Sequence, residues 1–160
     1  MTKKREADLS LRTLAVVVDC AEPRRLAGFW AQALGYDVSE RNPDEFLVSD
    51  PAQVAAPMYF MRVPEPKVGK NRLHLDFVTD GPMSDAVDRL VALGARLVEV
   101  RQDPDNLENP DTWSVLEDPE GNVFCVLNSA TLSGCPIPTL SGWVWADKGP
   151  TPPDVTTQVQ

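Results

Sequence analysis

The chain has 160 residues, 24 Asp and Glu against 15 Lys and Arg, and a formal net charge of −9. That length bounds one ordinary domain with a real core, and the acidity disfavours nucleic-acid backbones and anionic membrane surfaces, which require clustered cations. No apolar run approaches a membrane span, and Cys20, Cys125 and Cys135 show neither C-x-x-C nor zinc-type spacing, so reduced thiols in a cytoplasmic protein are expected.

Residues 1–10 read as an N-terminal extension, and the short apolar run Leu14 to Val18 as a buried strand rather than part of a leader. Residues 12–18 are almost continuously aliphatic, which predicts a strand covered on both faces. A helix follows: Leu26, Phe29, Trp30, Ala33 and Leu34 recur at helical spacing, with Pro23 suited to the first turn and Gly35 to the stop. Tyr36–Glu40, Glu45–Ser49 and Met58–Val63 are predicted strands, punctuated by Asn42-Pro43-Asp44 and Asp50-Pro51.

After a connector at Pro64–Lys70 the order repeats. A strand is expected through Asn71-Arg-Leu-His-Leu-Asp-Phe77, then a helix opened by Pro82 and ended by Gly94, with Met83, Val87, Leu90 and Val91 on its buried stripe. Strands are predicted at Arg96–Arg101, Thr112–Glu117 and Asn122–Leu127, the last two joined by the turn Asp118-Pro-Glu-Gly121. Leu34-Gly35 laid over Leu93-Gly94 gives an offset of 94 − 35 = 59, which brings Leu14 onto Leu73, Ala27 onto Ala86, Val38 onto Leu97 and Ala15 onto His74. The expected domain is therefore a duplicated unit, 11–63 and 71–128, carrying one histidine in its second copy. Residues 129–160, rich in Pro, Thr, Ser and Gly, form a tail. Part of it, around Trp143 and Trp145, is expected to dock on the body or on a second subunit, with its end disordered.

With Phe29-Trp30 through Leu34-Gly35-Tyr36, Asn71-Arg-Leu-His-Leu-Asp76 and Asp118-Pro-Glu-Gly-Asn-Val-Phe124 in this order, the chain over residues 11–128 resembles the glyoxalase-like branch of the vicinal oxygen chelate superfamily. The resemblance implies an α+β fold in which duplicated βαβββ units form a cupped eight-stranded mixed sheet, helices outside and a ligand cavity inside, often as a dimer. It also implies that metal-using members place ligands on the first and last strands of each unit. Here those places hold Ala15, a residue between Met58 and Met61, His74 and Cys125. Alanine cannot coordinate and the Met58–Met61 stretch has no carboxylate or imidazole, whereas iron or catalytic zinc takes about three protein ligands. The expectation is a protein without metal or other cofactor.

Strand alternation would send His74 and Asp76 to one face and Leu73, Leu75 and Phe77 to the other, under the helix. A carboxylate can orient an imidazole for acid–base work, although both groups serve equally well as hydrogen-bonding partners of loops. Cys125 shares its predicted face with Val123 and Leu127, which favours a small buried hydrophobe over a nucleophile. Tyr59 or Phe60, depending on register, and Trp113 are candidates to line the same cup by ring stacking. Trp30 is expected to pack helix on sheet. The leading reading is a homodimeric, resistance-type binder that sequesters a planar or cationic natural product through His74, Asp76, Tyr59, Phe60, Trp113 and Cys125. The alternatives are a lyase, isomerase or cyclase using His74 and Asp76 with Cys125, and a module that binds another protein through its tail.

Overall fold

A computed structural model describes residues 13–102 and 112–128. The first unit comprises β1 (Val16–Cys20), α1 (Pro23–Leu34), β2 (Asp37–Asn42), β3 (Glu45–Ser49) and β4 (Met58–Arg62). The second comprises β5 (Asp76–Thr79), α2 (Met83–Leu93), β6 (Arg96–Gln102), β7 (Thr112–Glu117) and β8 (Val123–Asn128). The eight strands hydrogen-bond as two four-stranded mixed sheets, ordered β1-β4-β3-β2 and β5-β8-β7-β6. In each sheet the first and last strands of the unit run parallel and the other pairs antiparallel. The duplicated βαβββ order and the α+β class are thus as the sequence implies.

Both helices end where glycine permits it. Gly35 and Gly94 sit at φ 70° and 113°, a left-handed cap that a side chain would disfavour. Pro23 occupies the first turn of α1, where its missing N–H costs nothing. α1 lies on β2, β3 and β4, and α2 on β6 and β8. The core is contributed by both units, with Leu26, Trp30, Phe46, Phe60, Leu116 and Phe124 all buried in it. Trp30 stands edge-on to Phe124, ring centroids 5.0 Å apart.

A buried carboxylate stands at the junction of the units. Asp118 is only 4% exposed and accepts the Trp30 indole N–H at 3.2 Å, the backbone N–H groups of Glu120 and Asn122, both at 2.9 Å, and the Asn122 amide at 2.9 Å. Two residues on, Glu120 reaches back to cap α1, accepting the N–H groups of Ala21 at 2.8 Å and Glu22 at 2.7 Å. At the other end of that helix, Arg89 of α2 donates to the carbonyls of Gln32 and Ala33. Orphaned groups at both termini of α1 are therefore satisfied by the second unit. The first unit has a matching turn, in which Asp50 accepts the N–H groups of Ala52, Val54 and Ala55. Asp118 follows Asp50 by 118 − 50 = 68 positions, nine more than the helix offset of 59, so the extra residues fall in the β6–β7 connection.

Four expectations are corrected. The predicted strand at 12–18 is displaced: ladder pairing begins only where Val16 meets Met58, and Val17 is 57% exposed, so the strand is covered on one face. β5 begins at Asp76 rather than including His74, because its ladder with β8 starts at Leu75 and Cys125. Leu73, expected beneath the helix, is 86% exposed, while Leu75 and Phe77 pack against the core. Val91, placed on the buried helical stripe, is exposed on α2. The N-terminal extension and the tail with Cys135, Trp143 and Trp145 lie outside the described residues.

Replacing Asp118 by alanine strands the Trp30 indole and the N–H groups of Glu120 and Asn122 without their acceptor. We expect Asp118→Ala to lose about 3 kcal/mol or more in urea unfolding and Asp118→Asn about 1–3 kcal/mol. An Asp118→Ala variant within about 0.5 kcal/mol of the parent, the range of neutral surface changes, contradicts this role.

Candidate functional site

His74 sits on the short segment that leads into β5, three residues after Asn71. The Asn71 side chain accepts the Val123 N–H at 2.8 Å, donates to the Val123 carbonyl at 3.0 Å, and donates also to the carbonyl of Leu73. The segment is thereby pinned to the start of β8. Between this segment and β1 lies a cavity of about 530 Å³. Its walls are apolar, with Val16, Val18, Met58, Leu75, Phe124 and Trp30 among them, and its polar groups are Asp19, Asn71, Arg72, His74, Asp118 and Asn122. The lining comes from both units, and the Asp118 turn that couples them forms part of the wall.

The other predicted site residues are distributed differently. Asp76 pairs in register with Cys125 on β8, and Val115 of β7 lies on the far side of Cys125. Burial first, then the neighbouring Asp76 carboxylate, push the Cys125 thiol up to about 11, so it stays protonated at neutral pH. Trp113 opposes Leu127 on the same face as Cys125 and Val115, one row along. None of Asp76, Trp113 and Cys125 lines the His74 cavity.

Register settles the choice between Tyr59 and Phe60. Phe60 pairs with Phe46 and Val18 and is 0% exposed in the core under α1, so the expectation that it lines a cup is corrected. Tyr59 pairs with Val17 and Leu47 on the opposite, partly exposed face. Since 17 + 59 = 76, the Val17–Tyr59 pair in the first unit stands where Asp76–Cys125 stands in the second. The duplication thus puts apolar and aromatic groups on one open sheet face and a carboxylate–thiol pair on the other.

Sequence reasoning missed Asn71, Arg72 and Asp19 as cavity residues, and it read Asp118 only as part of a turn. Asn71 carried a signal, since asparagine readily satisfies backbone groups at a strand entrance. Nothing in the sequence identifies Asp118 as the acceptor for Trp30, 88 residues away.

A family model for the glyoxalase-like domain matches residues 15–127. No curated protein matches the chain. Among solved structures, a glyoxalase/bleomycin resistance protein/dioxygenase family enzyme from Burkholderia phytofirmans shares 23% identity at TM-score 0.55, over 72% of this chain and 96% of that one. A mutant of the fosfomycin resistance protein of Listeria monocytogenes, complexed with Mn(II) and 1S,2S-dihydroxypropylphosphonic acid, is 10% identical at TM-score 0.59, covering 74% of this chain and 90% of its own. A lactoylglutathione lyase from Agrobacterium tumefaciens is 12% identical at TM-score 0.54, covering 74% and 94%. At these identities the likeness is one of fold.

The positions where the family resemblance implies metal ligands do not make a metal centre here. Ala15 offers no donor, Tyr59 takes the β4 place that Cys125 takes in β8, and Cys125 lies outside the cavity that His74 borders. Among the described residues no group of three His, Cys, Asp or Glu side chains is arranged to hold an ion. The donors present do not fit a three-ligand site.

The thiols generate a pH prediction. Burial first, then the Glu120 charge, push Cys20 up to about 12. Stability that depends on the neutral thiols is complete below the ordinary value of 9.0 and lost as pH rises through about 11 for Cys125 and about 12 for Cys20. Alkylation read peptide by peptide should therefore leave Cys20 and Cys125 nearly unmodified at pH 8. A Cys125 reaction midpoint at the ordinary thiol value of 9.0 contradicts the buried placement of Cys125 beside Asp76.

Proposed function

As the chain belongs to the glyoxalase-like domain family, we propose that it binds and sequesters a small natural product with a planar, largely apolar body, in the manner of a resistance protein and without a metal ion. The observation that carries this reading is the cavity between β1 and residues 71–75, whose volume of about 530 Å³ falls in the range of small-molecule sites and whose lining is apolar with few polar anchors. His74 is the anchor of the proposal, because it is the only histidine of the chain and borders that cavity. Trp30 and Phe124 back the wall from the core, and the apolar surface open to a ligand is that of Val16, Val17, Val18, Leu73 and Leu75. In the same proposal the protein works as a homodimer in the cytoplasm, a compartment that suits the free cysteines Cys20 and Cys125.

A lyase, isomerase or cyclase built on His74 and Asp76 as an acid–base pair has less support. The Asp76 carboxylate stands in register with Cys125 and lies outside the cavity lining. Protein docking through Trp143 and Trp145 rests on residues outside the described set.

The test uses acridine and 9-aminoacridine as planar probes, neutral and cationic. Equilibrium dialysis should show one site per chain, and mass spectrometry should recover the probe unchanged. Val17→Trp, a bulky side chain at a cavity-lining position that is already exposed, should abolish binding without unfolding the protein. His74→Ala should weaken binding by about 5- to 150-fold, the worth of one lost hydrogen-bond partner. Chemical conversion of the probe, or a Val17→Trp variant that binds like the parent, overturns the proposal.

A further inference from the structure

We infer that Asn71 is a positioning residue for His74, its side-chain amide standing in for the β-ladder rung that the histidine's segment lacks. The inference rests on the reading of His74 as the polar anchor of the ligand cavity. The regular ladder between β5 and β8 begins where the Cys125 N–H meets the Leu75 carbonyl at 3.0 Å, so no strand pairing holds residues 72–74. What holds them is the Asn71 amide, whose oxygen takes the Val123 N–H at 2.8 Å and whose nitrogen gives to the Val123 carbonyl at 3.0 Å. That two-way exchange is the pattern by which one residue of a ladder pairs with another. The additional bond from the same nitrogen to the Leu73 carbonyl turns the chain back on itself before His74.

Packing cannot do this work. Arg72 and His74 are exposed and Leu73 is 86% exposed, so the segment buries no apolar side chain that would anchor it. His74 is suspended between two fixed points on one strand, Asn71 at Val123 and Leu75 at Cys125. Asn71 also borders the cavity, so the clamp and the imidazole it places belong to one wall. The repeat itself does not demand the amide, since 71 − 59 = 12 and position 12 is arginine. The clamp belongs to the copy that carries the histidine. Without it, residues 72–74 regain backbone freedom that a ligand must remove on binding, and affinity falls although no ligand contact has been deleted.

A double-mutant cycle with 9-aminoacridine tests this. Asn71→Ala should weaken binding to within a few-fold of the loss in His74→Ala, and the double variant should be no weaker than about twofold below either single one, because both act through one group. The sole histidine gives one set of imidazole NMR signals. In the parent these should shift on probe addition, and in folded Asn71→Ala the shift should be lost or broadened. A merely structural role lowers the unfolding midpoint but leaves that shift and the affinity per folded molecule intact, which overturns the inference. Should Asn71→Ala fail to fold, Asn71→Asp keeps the acceptor for the Val123 N–H while losing both donations, and the same comparison applies. If His74→Ala weakens binding and the Asn71 variants do not, the inference falls and the ligand reading stands. If the parent binds neither acridine nor 9-aminoacridine, both fall.

Discussion

A buried carboxylate sits at the junction of the two units. Asp118 accepts four hydrogen bonds, three from its own turn and one from the Trp30 indole across the pseudo-symmetric boundary. Burying a charge is costly unless its lone pairs are occupied, and here every donor is fixed in place. The turn then extends the junction: Glu120 caps the N-terminal end of α1, and Arg89 from α2 closes the other end. A helix of the first unit is thus completed by groups of the second. The cavity beside His74 opens along this boundary, so the junction of the two units also shapes the proposed site.

Duplication explains how the two halves diverged without disturbing the scaffold. Equivalent strands pair in equivalent registers, and the two Asp-Pro turns at Asp50 and Asp118 satisfy their own backbone N–H groups in the same way. Side chains on the face away from the helices are free to change. At one matched pair of places Val17–Tyr59 corresponds to Asp76–Cys125, and at another Ala15 corresponds to His74. Polar chemistry has accumulated in the second unit, while the first supplies apolar wall.

Much of this architecture is legible in the sequence because local rules govern it. Pro23, Gly35 and Gly94 mark helix ends through backbone chemistry that tertiary context seldom overrides. The Asp118-Pro-Glu-Gly121 turn is legible for the same reason, with Gly121 at φ 79°. The site was less legible. A run such as Asn71–Phe77 has the composition of one continuous strand, yet where pairing starts is set by β8, which lies about fifty residues away. That non-local start leaves His74 outside the strand, exposes Leu73, and gives Asp76 to Cys125. The Tyr59–Phe60 choice likewise depends on register with β1 and β3, since a shift of one residue exchanges the faces.

Where a ligand sits decides whether the His74 cavity is the working site. The most direct measurement is a crystal structure of the protein grown with 9-aminoacridine. The expected position of the ring system is between Val16–Asp19 and Asn71–Leu75, within hydrogen-bond reach of His74. A probe lodged instead on the open face of the second sheet, stacked on Trp113 beside Asp76 and Cys125 while the His74 cavity stays empty, would contradict it.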